Sequence, residues 1–320
     1  MNYVELKHYL KNVEAIDDFL INNGVKKRDV ENSKNSFINY YEEYLNYYDF
    51  KGVKKDLVKV NTNYIKAPAR TNNQNHSWYG LLYRCIHGDA YKSKANISDH
   101  RLLKLLTNLT KMSLEDLKNL YQDGNSNFSL YDFNVFYRDG QPPIYIGIND
   151  GTHRIIMAKI LGIDYVYSDN VQVYEYNKFK HDVFKEMKQT IQTFKNFLKQ
   201  SEVFKLSADN THIKVNVNIN SYTCIDQIFY AVSPIDFNQN IESYKEYIYF
   251  IDFYLKVFKE IEDDYKNSFN IYKHLPLRLL EFMLDNSSTF HLQNIYKHKS
   301  EFLRHVFLLK AIENKKSLSS

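Results

Sequence analysis

The sequence predicts an α+β protein, a small mixed strand–helix core with helical additions before and after it. Three observations predict this. Stretches near both ends repeat apolar residues at three-to-four spacing, the period of a half-buried helix. The middle of the chain, Ile144 to Val173, switches between short apolar runs rich in Ile and Tyr and one apolar helical run. Apolar residues make up 44% of the 320-residue chain, enough to build a core for one large domain or two ordinary ones. The boundaries read as residues 1–60 for a helical N-terminal extension, 61–180 for the core and 181–320 for a mainly helical C-terminal region with a short strand element.

Taken in order, residues 3–23 read as one amphipathic helix, with Val4, Leu6, Tyr9, Leu10, Val13, Ile16, Phe19 and Leu20 recurring at three-to-four spacing and Asn22-Asn23-Gly24 as its stop. Residues 30–48 read as containing a second helical stretch, SFINYYEEYLNYYDF, before Gly52. Its tyrosines suit packing onto the body better than a stacking platform for bases. Residues 60–94 read as a long polar loop that holds the single tryptophan, Trp78, and a group of polar side chains, Arg70, His76, Tyr83, Arg84 and His87. Such loops often carry binding residues, and Arg70 with Arg84 can grip a phosphate or carboxylate through paired N–H donors. Arg70, His76, Tyr83 and Arg84 are therefore candidate substrate contacts. Residues 97–121 read as helix, Tyr131–Tyr137 and Ile144–Ile148 as strands joined by a turn at Arg138-Asp139-Gly140, and Thr152–Leu161 as a helix closed by Gly162. Beyond residue 177 come helices over 181–200, 239–265 and two within 273–310. A period-two strand spans His212–Asn220, Ser221–Ala231 suits strand or helix, and a polar tail starts at Glu313.

The helix behind Gly151 is lopsided. After Arg154 its only polar residue is Lys159, so its body should be buried, while Thr152, His153 and Arg154 crowd into its first turn. A helix start presents backbone N–H groups and the positive end of a dipole, which is a place for a phosphate. Gly151 allows close backbone approach, Thr152 and His153 can donate, and Arg154 can neutralise charge. Asp150 beside a phosphate site suits a Mg²⁺ contact or a base for an attacking hydroxyl. The plainer roles are a helix cap for Asp150 and a turn for Gly151.

Strand, DGTHR, apolar helix, Gly, strand resembles the central unit of the ParB/sulfiredoxin-like superfamily, over roughly residues 95–177. A DG-x-HR box of this kind marks its nucleotide-dependent free-serine kinases and some proteins encoded near surface-glycan enzymes, and a related box serves CTP-binding partition proteins. The resemblance implies a ParB/sulfiredoxin-like mixed sheet that binds ATP or another NTP with Mg²⁺. It implies phosphoryl transfer to a hydroxyl of a small metabolite or glycan precursor, with Asp150 and His153 as catalytic residues. Kinase members add an upstream Glu, for which Glu115, Asp89 and Asp99 are the positions to test. Two further readings follow from the same resemblance: a DNA-associated partition, nuclease or regulatory protein, and a non-catalytic nucleotide sensor.

Several classes find no support. The chain lacks a P-loop, a dinucleotide fingerprint, a hydrolase elbow and a zincin box. The net charge of +4 does not require nucleic acid. Cys85 and Cys224 lie far apart, with no metal or disulfide spacing, which points to a reducing, cytoplasmic setting. The first residues lack a signal-peptide pattern, and no window is apolar enough to span a membrane. Oligomeric state is not legible.

Overall fold

The computed structural model describes residues 3–39, 42–69, 76–87, 99–124, 130–149, 151–208, 212–217, 227–230, 241–268, 270–286 and 299–318. The chain forms two compact units, Met1–Asn177 and Lys178–Ser320.

The first unit is built on a mixed six-stranded sheet: β1 (Tyr48–Lys54), β2 (Val58–Asn61), β3 (Ile65–Ala67), β4 (Leu130–Tyr137), β5 (Ile144–Ile148) and β6 (Tyr165–Tyr176). The order is β1-β6-β4-β5-β3, with β2 also on β6. The twelve-residue β6 is long enough to pair antiparallel with β2 along its first half and with β1 along its second. A short hairpin makes β4 and β5 antiparallel, and Gly140 supplies the positive φ of its turn. The helix α7 (Thr152–Ile160) then carries the chain across β4, so that β6 lies parallel to β4 on its far side.

Among the described residues, six α-helices precede α7: α1 (Tyr3–Tyr9), α2 (Val13–Asn22), α3 (Lys27–Asn35), α4 (Trp78–His87), α5 (Asp99–Leu106) and α6 (Leu114–Tyr121). Ile155, Ile156, Met157, Ala158 and Ile160 of α7 are fully buried, because α7 packs among α3, α4 and α5 as well as against the sheet. Gly147 in β5 makes that packing possible: a Cβ there would sit 2.8 Å from Ala69 N and 3.0 Å from Ile155 Cδ1.

Three sequence expectations are corrected. The helix over 3–23 is two helices, because Asn12 leaves the helical path and its Oδ1 accepts from Ala15 N at 2.8 Å to start α2. Of residues 30–48, only those up to Asn35, the end of α3, are α-helical among the described residues; a 3₁₀ turn at Glu42–Asn46 and the start of β1 follow. Here the free edge of β6 and an aromatic cluster of Tyr44, Tyr47, Tyr48, Phe136 and Tyr176 outweigh helical periodicity. The loop read over 60–94 contains β3 and α4. Trp78, Tyr79, Leu81, Leu82, Cys85 and Ile86 bury one helical face, and Ser77 Oγ accepts from Gly80 N at 2.9 Å at its start.

Gly162 ends α7 at φ +63°, and the Asp29 carboxylate lies where a side chain would go, with Oδ2 only 2.3 Å from the Cβ position. Gly162→Ala therefore combines left-handed strain with a clash and should cost about 2–3 kcal/mol in urea unfolding. Adding Asp29→Ala should relieve the carboxylate part of the clash, leaving the residue 29 Cβ at 2.9 Å and the backbone strain. A single variant as stable as wild type would contradict the left-handed stop.

The second unit holds α8 (Lys178–Gln200), an antiparallel sheet of β7 (Phe204–Ala208), β8 (His212–Val217) and β9 (Gln227–Tyr230), then α9 (Ile241–Ser268), α10 (Asn270–Lys273), α11 (Leu277–Asp285) and α12 (Lys299–Ser317). Phe194, Phe204, Phe258 and Phe302 stack in its core. The buried Glu262 of α9 shapes the turn after α8, accepting from Ser201 Oγ at 2.5 Å and Glu202 N at 2.9 Å. The stretch open to strand or helix holds the strand β9. The polar tail from Glu313 continues α12 as helix to Ser317, and Lys316 reaches Glu281 at 3.0 Å.

Candidate functional site

The end of β5 and the start of α7 are built by a pair of left-handed residues. Asn149 has φ +57° and Gly151 φ +90°. Asp150, between them in sequence, lies outside the described residues. Gly151 is required twice over, by its backbone angle and because a Cβ would meet Tyr131 Cδ1 at 2.8 Å. The first turn of α7 follows directly. Thr152 is buried, and its hydroxyl donates to Ala69 O at 2.8 Å. The hydroxyl expected to add a donor toward an anion thus ties α7 to the chain leaving β3. His153 and Arg154 are half-buried, and the Arg154 guanidinium lies over the Tyr131 ring, 5.0 Å from its centroid.

Tyr131 is the functional candidate that sequence reasoning missed. Its hydroxyl is buried and has no hydrogen-bond partner among the described residues. Leaving such a group unpaired costs about 1–3 kcal/mol, so it is a donor that lacks its acceptor. Burial pushes the Tyr131 and Tyr121 hydroxyls up, against the pull of the Arg154 charge, so both hold their protons at neutral pH. The next residue, Asp132, points to the opposite face of β4. Its register opposite Ile148 sets it at the same end of β5. Its carboxylate accepts from Asn149 Nδ2 at 2.9 Å and Asn170 Nδ2 at 3.2 Å. The available signal was the hairpin length, which fixes this register.

Of the three candidates for a second carboxylate, only Glu115 has a described side chain. Glu115 is exposed in the first turn of α6, Asp89 lies outside the described residues, and so does the side chain of Asp99. Of the four candidate substrate contacts, Arg70 lies outside the described residues. Arg84 Nη1 donates to His76 Nε2 at 2.6 Å, and burial with the Arg84 charge holds His76 below its usual value, so its ring is neutral. Tyr83 tilts against His87, ring centroids 4.3 Å apart. Among the described residues no cluster of three or more His, Cys, Asp or Glu side chains could hold a metal ion. Cys85 is buried in α4, and Cys224 lies outside the described residues. No helix among the described residues is long and apolar enough to cross a membrane.

A second feature lies at the other end of α7. A cavity of about 190 Å³ is lined from α3, α4, α6, α7 and the turn after β2. Lys159 reaches it with its ammonium 5.3 Å from the Trp78 ring centroid. Burial, helped by the charge of Lys66, pulls its pKa down to about 7. Between pH 7 and about 10 the unfolded chain keeps a proton that the folded protein has released. Raising pH through that window therefore stabilises the fold. The stability of the native chain relative to Lys159→Met should rise across this window; a difference independent of pH would contradict the burial of the amine.

No protein-family model matches the chain, and no curated protein or solved structure matches it either.

Proposed function

We propose that this α+β protein binds a nucleoside triphosphate with its phosphates on the first turn of α7. It then transfers a phosphoryl group to a hydroxyl of a small metabolite or glycan precursor. The observation that carries this reading is the start of α7. A left-handed glycine at the end of a strand leads into a helix with a buried body, whose first turn holds His153 and Arg154 beside the ring of Tyr131; the buried Tyr131 hydroxyl has no hydrogen-bond partner among the described residues. Ligand sites of open sheets lie beyond strand ends of this kind. The DGTHR box and its ParB/sulfiredoxin-like resemblance supply the nucleotide.

The residues suit a polyphosphate. The dipole of α7 favours an anion, Arg154 brings a full positive charge, and Tyr131 can donate one more hydrogen bond. Bound Mg²⁺ would neutralise phosphate charge, with Asp150 and Asp132 as the carboxylates nearest in sequence and register. In the transfer, the acceptor oxygen forms a bond to phosphorus as the bond to the leaving diphosphate breaks. The hydroxyl proton goes to a carboxylate, for which Asp150 is the first candidate and Asp132 the second. His153, in the same first turn, would donate to a phosphate oxygen.

A thermal-shift panel of ATP, CTP, GTP and UTP, with and without Mg²⁺, tests the reading. A nucleotide at roughly a hundredfold excess over its Kd should add about 2.7 kcal/mol to stability. Binding followed by phosphate release to a hydroxyl acceptor supports an enzyme. Binding without turnover supports a nucleotide sensor, and no shift with any nucleotide removes the reading altogether.

A further inference from the structure

The cavity at the C-terminal end of α7 is independent of the nucleotide reading. Four basic side chains line it, Lys26, Arg28, Lys118 and Lys159, against two acids, Asp29 and Asp164. Arg28 and Asp29 take up each other, Nε to Oδ1 at 3.6 Å. Lys118 donates to Gly162 O at 3.2 Å, which answers the negative end of α7. Asp164 is exposed. Lys159 is different: it comes off the buried body of α7, is itself partly exposed, rests near the Trp78 ring and pairs with no carboxylate among the described residues. Its other charged neighbour, Lys66 from β3, repels it. The start of α3 faces the same space, and Lys26 at its N-cap position gives no side-chain cap.

A buried ammonium is costly unless an anion accompanies it. The protein provides the room, the surplus of positive charge and the donors, but not the anion. We propose that this cavity binds a small doubly charged oxyanion, a phosphate ester or a dicarboxylate, with the Lys159 ammonium as its central contact. At about 190 Å³ the space is below the range usual for drug-sized ligands, so it suits a small metabolite and not a nucleotide. Such an anion would restore the charge on Lys159, so each binding event takes up a proton above neutral pH.

Titration calorimetry of the full chain with sulfate and with malonate tests this, because both probes keep their charge through this pH range. Affinity should fall about tenfold per pH unit above pH 7, with up to about one proton taken up per anion. Preference for sulfate points to phosphate esters, and preference for malonate to dicarboxylates. Lys159→Met should abolish binding of both; if that variant does not fold, Lys118→Gln should weaken both while keeping the proton uptake. Arg154→Ala should leave this binding intact. Failure of both anions to bind near pH 6.5 would overturn the proposal. So would binding that survives Lys159→Met, or that is lost instead with Arg154→Ala.

Discussion

Replacing Phe133 by Ala is expected to lower the stability of the first unit by about 3–5 kcal/mol, the range for emptying an aromatic site that cannot collapse. Phe133 sits at the middle of β4, flanked by β5 and β6, and is fully buried. Its ring meets Tyr145 edge-on at 5.8 Å and lies 6.1 Å from Tyr131. Backbone pairing on both sides holds β4 in place, so the strand cannot close the void. The single tryptophan, Trp78, is buried in the same unit, so its fluorescence during urea unfolding reports on that unit. A loss below about 1 kcal/mol would mean that Phe133 is not at the centre of the sheet.

Replacing Arg154 by Ala is expected to weaken nucleotide binding by roughly 10- to 150-fold, the loss of one charge-assisted contact worth about 1.5–3 kcal/mol. The fold should tolerate the change, since Arg154 is only half-buried and a contact such as that of its guanidinium over the Tyr131 ring is worth roughly 0.5–2 kcal/mol. Isothermal titration of the nucleotide chosen by the thermal-shift panel measures the effect. Lys at this position should recover part of it, because it restores charge without the planar fork. If Arg154→Ala binds nucleotide as tightly as wild type, the phosphates do not lie on the first turn of α7.

The strand–helix–strand unit around α7 was legible because its signals are local. Gly151 and Gly162 bracket an apolar run of helical length, and Ile144–Ile148 is too short and apolar for anything but a buried strand. Lys159 was also visible as the one polar residue in the body of that helix, but its consequence was not. Only the packing of Trp78, Lys66 and the start of α3 around it removes its partners and lowers its proton affinity. The Tyr-rich stretch at 36–50 misled for the opposite reason. Its period fitted a helix, yet the edge of a long strand more than a hundred residues away offered β1 a better set of hydrogen bonds.

The sequence by itself determined the class of the fold, the position of the buried helix, and the charged first turn that makes Gly151 to Arg154 a candidate site. These depend on periodicity, turn chemistry and charge, which act over a few residues. The tertiary structure alone decided that β1 and β2 join the sheet, that the Thr152 hydroxyl is spent on Ala69, and that Tyr131 and Asp132 share the end of β5 with the start of α7. It also decided that a cavity lined by four bases opens at the other end of the same helix. Those depend on strand register and on which distant segments cover a surface, and register is set by pairing between residues that local rules never compare.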